Sequence, residues 1–221
     1  EKYKFLNASE HVGLLTQGFM NVDKALTYDK AYDKASKTFN WDGKTDQNWQ
    51  DAVRRSVTSS SRYNLSYSGG NETVKGYGSI GYTEQEGITR DALYKRLNAT
   101  LKLDIKASDK LNLVFSNLLA RASQYGPLDY GYFANPILSS RFFSQTQPVY
   151  NTDGSYNLNI VSNMTPHFNS VAIQDINKRQ SIFTKILSSI GAEYNIVKNL
   201  RFSSNVGVDY NYYDENEYRN P

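Results

Sequence analysis

The sequence predicts an all-β fold: a segment of an antiparallel transmembrane β-barrel, with a partly helical extracellular region at its N-terminus. From about residue 57 onward, long runs alternate apolar and polar side chains, which is the period of a β-strand. These runs exceed the ~5–6 residues usual in soluble proteins and are long enough for the ~9–11 residues that cross a membrane. Tight turns alternate with long links, as in bacterial transmembrane barrels.

The composition is that of one large domain and excludes several kinds of protein. The chain has 221 residues, of which 39% are hydrophobic, and it contains 18 Tyr and 10 Phe. It lacks the run of ~18 apolar residues that a transmembrane helix needs. A mean hydropathy of -0.63 is compatible with a barrel, because only alternate residues of each strand face lipid. Cysteine is absent and the net charge is +3, so neither disulfides nor nucleic-acid binding is expected.

The N-terminal region, residues 1–57, lacks strand periodicity and predicts short helices. Asn7 and Glu10 have the spacing of a capping box, in which Asn7 caps the helix and Glu10 reaches back to the cap backbone. Apolar residues then recur every three or four positions, as on one face of an amphipathic helix. This predicted stripe consists of Val12, Leu15, Phe19, Val22 and Leu26.

Two further helices are predicted before the first strand. Residues 28–35 repeat the tetrapeptide Tyr-Asp-Lys-Ala, which predicts a solvated surface helix with charge pairs within one turn. Thr45 or Asp46 is expected to cap a short third helix. The adjacent Arg54 and Arg55 have two interpretations. They bind acidic lipid headgroups or an acidic partner, or they form an ion pair at the barrel rim.

Residues 61–82 are predicted to form a β-hairpin. Gly69 and Gly70 are expected to supply the positive φ that a short turn needs. The return strand contains several glycines, so neighbouring strands must hold it in place. The first strand places three apolar side chains on one face: Tyr63, Leu65 and Tyr67.

Four more strands show the same alternation. One face of each is mainly apolar, and the other carries charged side chains that a packed core would not accept, such as Lys102, Asp104 and Glu193. An apolar face opposite a charged face predicts lipid on one side and water on the other. The predicted strands cover residues 93–105, 111–122, 182–196 and 200–212.

The alternation of short and long connections predicts the organisation of the chain. Residues 58–122 form two hairpins, and residues 180–221 form a strand pair and the start of the next loop. Tight turns are expected to be periplasmic and long links extracellular. This places residues 1–57 and the long loop, residues 123–179, outside the cell.

Several short motifs occur in a fixed order along the chain. They are Leu6-Asn7-Ala8-Ser9-Glu10, Asn48-Trp49-Gln50-Asp51-Ala52-Val53, Tyr63-Asn64-Leu65-Ser66-Tyr67-Ser68-Gly69-Gly70, Gly81-Tyr82-Thr83-Glu84-Gln85-Glu86-Gly87-Ile88, Tyr94-Lys95-Arg96-Leu97-Asn98, Pro148-Val149-Tyr150-Asn151-Thr152-Asp153-Gly154-Ser155-Tyr156 and Gly207-Val208-Asp209-Tyr210. In order and spacing they resemble the SusC/RagA family of TonB-dependent outer-membrane transporters of Bacteroidetes. The resemblance implies an internal fragment, about six strands of a barrel of ~22, without the family's plug domain and TonB box.

The resemblance also implies a function: TonB-dependent nutrient uptake of oligosaccharides or peptides across the bacterial outer membrane. The implied partners are a SusD-like lipoprotein, TonB acting through the plug domain, the imported substrate and outer-membrane lipid; neither nucleic acid nor an enzymatic reaction is expected. The alternative is a non-transporting outer-membrane scaffold or adhesin. A soluble carbohydrate-binding β-protein is disfavoured, because it would have to bury the charged face.

Aromatic side chains crowd into the long loop and are the candidate contact residues. Such rings stack on sugars and anchor protein interfaces. The simpler interpretation is that they fold the loop onto itself. The candidates are Tyr125, Tyr130, Tyr132, Phe133, Phe142, Phe143, Tyr150 and Tyr156.

No catalytic residue is predicted, because the histidines His11 and His167 lack the spacing of any catalytic motif. No cofactor is expected either. A structural Ca²⁺ is the alternative, since acidic oxygens near the C-terminus could bind it; the simpler interpretation is a solvated acidic loop. The acidic candidates are Asp209, Asp214, Glu215 and Glu217.

Overall fold

A single six-stranded antiparallel sheet dominates the structure. The computed structural model describes residues 4–127, 135–160 and 169–219. Each strand pairs with its neighbours in sequence, in the order β1 to β6, and the described residues leave β1 and β6 as open edges. The predicted class, an antiparallel barrel segment, is confirmed. The strands are β1 (Ser60–Gly70), β2 (Val74–Glu86), β3 (Leu93–Lys106), β4 (Leu111–Gly126), β5 (Lys178–Val197) and β6 (Leu200–Tyr218).

Five helices accompany the sheet in the described part of the chain. None of these helices combines the length and the hydropathy needed to cross a membrane. They are α1 (Ala8–Val22), α2 (Tyr28–Thr38), α3 (Trp49–Ala52), α4 (Pro136–Ser139) and α5 (Ser170–Ile176).

The strand register aligns the alternating side chains into two continuous faces. We call the apolar face the outer face. One of its rows runs across all six strands through Leu65, Ile80, Ala99, Leu119, Ile186 and Tyr210. The opposite face is the inner face. Its adjacent row runs through Asn64, Gly81, Asn98, Ala120, Lys185 and Asn211.

The turn between β1 and β2 is built by a side chain, and the prediction of a positive φ at Gly69 and Gly70 is wrong. Asn71 Oδ1 accepts hydrogen bonds from the backbone N–H groups of Thr73 and Val74, both at 2.8 Å. Both glycines lie within β1, and neither has a positive φ. Gly70 is instead required by close approach. A Cβ at this position would lie 2.3 Å from the carbonyl oxygen of Val74.

Four strands extend further than the sequence pattern indicates, all at the end opposite to the tight turns. β2 continues to Glu86, β4 continues to Gly126, β5 begins at Lys178 and β6 continues to Tyr218. The interpretation of residues 214–217 as an acidic loop is therefore wrong. These residues pair with β5, for example Asp214 with Ile182. Their backbone hydrogen bonds to β5 keep them in the strand despite their polar side chains.

The helices and long links fold into a compact unit at the end of the sheet opposite to the tight turns. We call this unit the cap and define it as residues 4–59, 135–160 and 169–177. Its main core joins segments distant in sequence around α3. A second core lies between α1 and α2 and contains Val12, Ala35 and Phe39. The main core consists of Trp49, Val53, Phe143, Val149, Ile160 and Val171.

The capping box predicted for α1 is present, with Asn7 and Glu10 bonding reciprocally at 2.8 and 2.9 Å. The predicted apolar stripe is wrong in its last turn. Val22 is 88% exposed, and Leu26 lies beyond the helix because Asp23 ends it, its N–H bonding to the carbonyl of Phe19.

The helices α2 and α3 also differ in detail from the predictions. The alanines of the tetrapeptide repeat, Ala31 and Ala35, are completely buried, so α2 is solvated on only part of its surface. Asn48 caps α3, and the prediction of Thr45 or Asp46 is wrong. Asp46 is used elsewhere, since its Oδ1 accepts a hydrogen bond of 2.9 Å from the N–H of Ala8.

Candidate functional site

The inner face of the sheet is a polar surface crossed by ion pairs. Lys185 Nζ on β5 lies 3.3 Å from Asp209 Oδ2 on β6, and Glu193 on β5 lies 3.4 Å from Arg201 on β6. Nearer the cap, Arg179 Nη2 lies 3.0 Å from Glu215 Oε2. These pairs follow from the register, which places oppositely charged residues on adjacent strands. The inner face can therefore line a water-filled space.

Arg55 joins the cap to the sheet at the link between β2 and β3. Its Nη1 donates to the carbonyl oxygens of Gly87, Thr89 and Ala92 at 2.8–3.1 Å. Its Nε also lies 3.8 Å from Glu86. Of the two interpretations offered for Arg54 and Arg55, the structure shows the ion pair at the sheet end for Arg55. The three carbonyl acceptors were not predictable, because they come from a loop more than 30 residues away.

A second connection joins α5 to the same link through Asp175. Arg90 Nη2 lies 3.4 Å from Asp175, and the hydroxyl of Tyr156 donates to Asp175 Oδ2 at 2.9 Å. Burial and the hydrogen bond to Asp175 raise the pKa of Tyr156 to about 12. Tyr156 therefore remains a neutral donor throughout the physiological pH range, and this contact does not depend on pH there.

The candidate aromatic residues of the long loop have different environments. Phe143 is buried in the main core and packs on Trp49 with ring centroids 4.8 Å apart, so it folds the loop onto the cap. Tyr150 and Tyr156 form an aromatic pair at 5.3 Å. Phe142 and Tyr150 are 40% and 46% exposed. Tyr125 lies in β4 on the outer face and not in the loop, and its hydroxyl accepts a hydrogen bond of 2.7 Å from Gln180. The remaining candidates, Tyr130, Tyr132 and Phe133, lie outside the described residues.

Phe142 lies at one side of a groove on the cap surface. Two adjacent depressions, of about 360 and 180 Å³, share Phe5, Leu6 and Gln145 in their walls. The larger one is lined by amide side chains as well as by Phe5 and Leu6, so it combines apolar contact with hydrogen-bonding groups. The sequence did not predict this groove, because its walls come from residues 4–7, 46–50 and 141–145.

His11 connects α1 to the loop that follows α4. His11 lies on α1, with Nδ1 3.1 Å from Ser144 Oγ and its ring against Phe39 at a centroid distance of 4.6 Å. Burial lowers the pKa of His11, so the imidazole is neutral at physiological pH and connects the helix to the loop. His167 lies outside the described residues.

The acidic candidates for a Ca²⁺ site do not converge. By strand alternation, Asp214 lies on the outer face and the other three on the inner face. Asp209 bonds to Lys185 and Asn211, and Glu215 bonds to Arg179, Ser181 and Tyr213. Among the residues that the structure describes, no three His, Asp or Glu side chains are grouped as metal ligands.

The relatives found by sequence are TonB-dependent receptors. TonB-dependent receptor P26 of Formosa agariphila is 33% identical over 131 residues, which is 59% of this chain and 12% of that protein. TonB-dependent receptor P3 of the same organism is 22% identical over 197 residues, 87% of this chain and 19% of that protein. The chain thus spans less than a fifth of the length of these relatives. No family model matches the chain.

The fold is similar to that of solved peptide transporters. The RagAB peptide transporter matches with a TM-score of 0.70 at 18% identity, over 96% of this chain and 26% of the solved chain. The RagAB peptide importer in its 'open-open' state matches with a TM-score of 0.67 at 20% identity, over 96% of this chain and 26% of the solved one. The relatives and the fold agree with the short motifs: the chain is similar to a segment of a SusC/RagA-type TonB-dependent receptor barrel.

Proposed function

We propose that this chain forms part of the wall and the extracellular cap of an outer-membrane nutrient importer. In this function, TonB drives uptake of oligosaccharides or peptides through the complete barrel. The observation that carries the proposal is the pairing of one continuous apolar face with one polar face across all six strands. Hydrocarbon accepts the apolar face, and an aqueous lumen accepts the ion pairs of the other.

The cap provides the second part of the proposal. Its long links all leave the sheet at one end, and in bacterial barrels such links are extracellular. Exposed aromatic rings at Phe142 and Tyr150, together with the groove beside residues 4–7, offer a surface for a sugar or a peptide. A SusD-like surface lipoprotein would bind the same extracellular end as a lid. RagAB, whose fold is similar, is a peptide transporter, which favours peptides among the two substrate classes.

The decisive experiment has two steps. The intact complex is first purified from the outer membrane, and its bound ligand and partner protein are identified by mass spectrometry. Uptake of that ligand is then compared between strains that carry and lack the intact receptor. Growth on that ligand as the sole nutrient should require both the receptor gene and TonB. Equal growth without the receptor would contradict import and favour the alternative, a non-transporting scaffold or adhesin.

Variants of the cap test whether its exposed rings contact the substrate or the lid. Phe142→Ala and Tyr150→Ala should reduce uptake severalfold while the amount of receptor in the membrane stays constant. Tyr67→Ala is the matched control, since it removes an exposed ring near the tight-turn end of β1, far from the cap. Equal uptake by all three variants would exclude a role for these rings.

A further inference from the structure

The charged residues of the outer face are confined to its cap end. Between the tight turns and the row through Leu65 and Tyr210, the outer-face positions of the described strands carry no Asp, Glu, Lys or Arg. The first charged side chain is Arg121, one row closer to the cap. The row of Arg121 consists of Tyr63, Tyr82, Leu97, Arg121, Thr184 and Tyr212.

Two independent features place this row at the boundary between hydrocarbon and headgroups. From this row to the tight turns, residues 97–105 of β3 and 184–194 of β5 have the ~9–11 residues that cross a bilayer. The row itself contains three tyrosines, the residue type that is enriched with tryptophan at membrane interfaces. The side chain of Arg121 therefore lies at the depth of lipid headgroups.

Arg121 forms a positive patch with Lys95 on the neighbouring strand. Leu97 pairs with Arg121 and Lys95 pairs with Ser123, so Lys95 and Arg121 are diagonal neighbours on the outer face. Lys95 Nζ is 3.7 Å from Glu84, a carboxylate that also accepts the hydroxyl of Tyr82 at 2.5 Å. Arg121 is exposed, and within the described ranges no carboxylate lies at salt-bridge distance from it. The patch therefore contains two cations, of which only Lys95 has a carboxylate partner in the described part of the chain.

We propose that Lys95 and Arg121, with the Ser123 hydroxyl beside them, bind the phosphate of an anionic lipid headgroup. The Arg121 guanidinium would contact two phosphate oxygens, while the acyl chains lie along the apolar rows below. This inference rests on the membrane placement in the proposed function. Each cation near an anionic membrane surface contributes about 1 kcal/mol, which corresponds to about a fivefold change in affinity per residue.

The test is lipid binding by the intact receptor, purified in detergent, stripped of lipid and titrated with phosphatidylglycerol or phosphatidylcholine. Native mass spectrometry counts the bound lipids. The wild type should prefer phosphatidylglycerol, and Arg121→Gln and Lys95→Gln should each weaken its binding by about fivefold. Arg121→Lys keeps the charge and should retain most of the binding.

Arg96→Gln is the matched control. Arg96 lies beside Lys95 on β3 but on the inner face, opposite Ala122, so its replacement makes the same charge change away from lipid. Equal binding by Arg121→Gln and wild type, or an equal loss in Arg96→Gln, would overturn the proposal.

Two further readouts separate this proposal from the proposed function. Substrate uptake by Arg121→Gln should remain at the wild-type level, because the residue faces away from the lumen. If uptake fails in the wild type while the lipid preference is observed, only the import function is wrong. If the receptor is absent from the membrane fraction of the cells and binds neither lipid, the membrane placement is wrong, and the proposed lipid site is then wrong as well.

Discussion

Ser188 Oγ on β5 donates a hydrogen bond of 2.5 Å to Asn117 Oδ1 on β4. Both residues lie on the outer face, in a row with Leu101 and Val208. They are polar groups in an otherwise apolar row, and the hydrogen bond gives the Ser188 hydroxyl a partner. A polar group at such a position is costly in hydrocarbon unless it is bonded. The pair therefore allows this row to face lipid.

Removal of one member of this pair should destabilise the barrel. Ser188→Ala leaves the Asn117 amide without its donor, and we expect a loss of about 1 kcal/mol in the free energy of unfolding. The double variant Ser188→Ala/Asn117→Leu should recover that stability, because both polar groups are gone. The free energies of unfolding of the single and the double variant are measured by denaturant unfolding of the intact receptor in lipid vesicles. Ser189→Ala, on the inner face, serves as the control, and an equal loss there would contradict the explanation.

Gly70 should tolerate no side chain, for reasons of space. The Cβ of Gly70→Ala would lie 2.3 Å from Val74 O and 2.6 Å from Lys75 Cα, and these backbone atoms cannot rotate away. We expect a destabilisation of about 1–3 kcal/mol, as in other overpacked sites. Gly78→Ala on the next strand is the control, since its Cβ would meet nothing within 4 Å. Denaturant midpoints that are equal for the two variants would show that close approach is not the reason for Gly70.

Arg55 should hold the link between β2 and β3 against the cap. Arg55→Ala removes three hydrogen bonds from a charged donor to carbonyl oxygens, which are stronger than neutral ones. Hydrogen exchange of residues 87–92 should become faster, while exchange in the middle of β2 and β3 stays unchanged. Arg54→Ala makes the same charge change at the adjacent residue. Unchanged exchange of residues 87–92 in Arg55→Ala would mean that this link is held by other contacts.

The stability of the folded chain should depend on the protonation of Asp91, which lies in the link between β2 and β3. Both carboxylate oxygens of Asp91 are shielded from solvent, and burial raises its pKa above the ordinary value of 3.8. The folded state therefore binds the proton more tightly than the unfolded state. The stability that this provides is present in acid and is lost as the pH rises through the raised pKa.

Asp91→Asn should accordingly be more stable than the wild type at neutral pH, and the difference should vanish as the pH falls towards 3.8. The unfolding midpoint of the intact receptor, measured as a function of pH, gives this comparison. Asp42 provides a control of opposite sign, because hydrogen bonds from Thr45 and Lys44 lower its pKa. The contribution of Asp42 is present above its ordinary pKa and is lost in acid. A constant difference between Asp91→Asn and wild type would exclude the titration of Asp91.

The strands of the sheet were predictable from the sequence, because apolar and polar side chains alternate along each of them. The hairpin register follows from short turns between neighbouring strands, so residues such as Leu97 and Leu101 could be assigned to one face. The strand ends were less predictable. The polar composition of residues 214–217 is typical of a loop. They are in strand β6 because β5 provides partners for their backbone hydrogen bonds, which composition cannot indicate.

The cap was much less predictable, since its contacts join segments far apart in sequence. The helix α1 could be predicted from its local capping box. The indole of Trp49, in contrast, donates to the carbonyls of Ser144 and Gln147 nearly 100 residues away. The groove beside Phe142 depends on the same long-range packing. Local sequence signals such as periodicity and helix capping do not indicate which loops pack against each other.

The tight turns and the cap lie at opposite ends of the sheet. A turn of a few residues joins the two strands of each hairpin, β1–β2, β3–β4 and β5–β6, and the cap attaches at the other end. Only the links from β2 to β3 and from β4 to β5 pass through the cap end. Insertions or deletions in the cap therefore leave the register within each hairpin intact, and such a layout allows surface loops to vary in length and sequence.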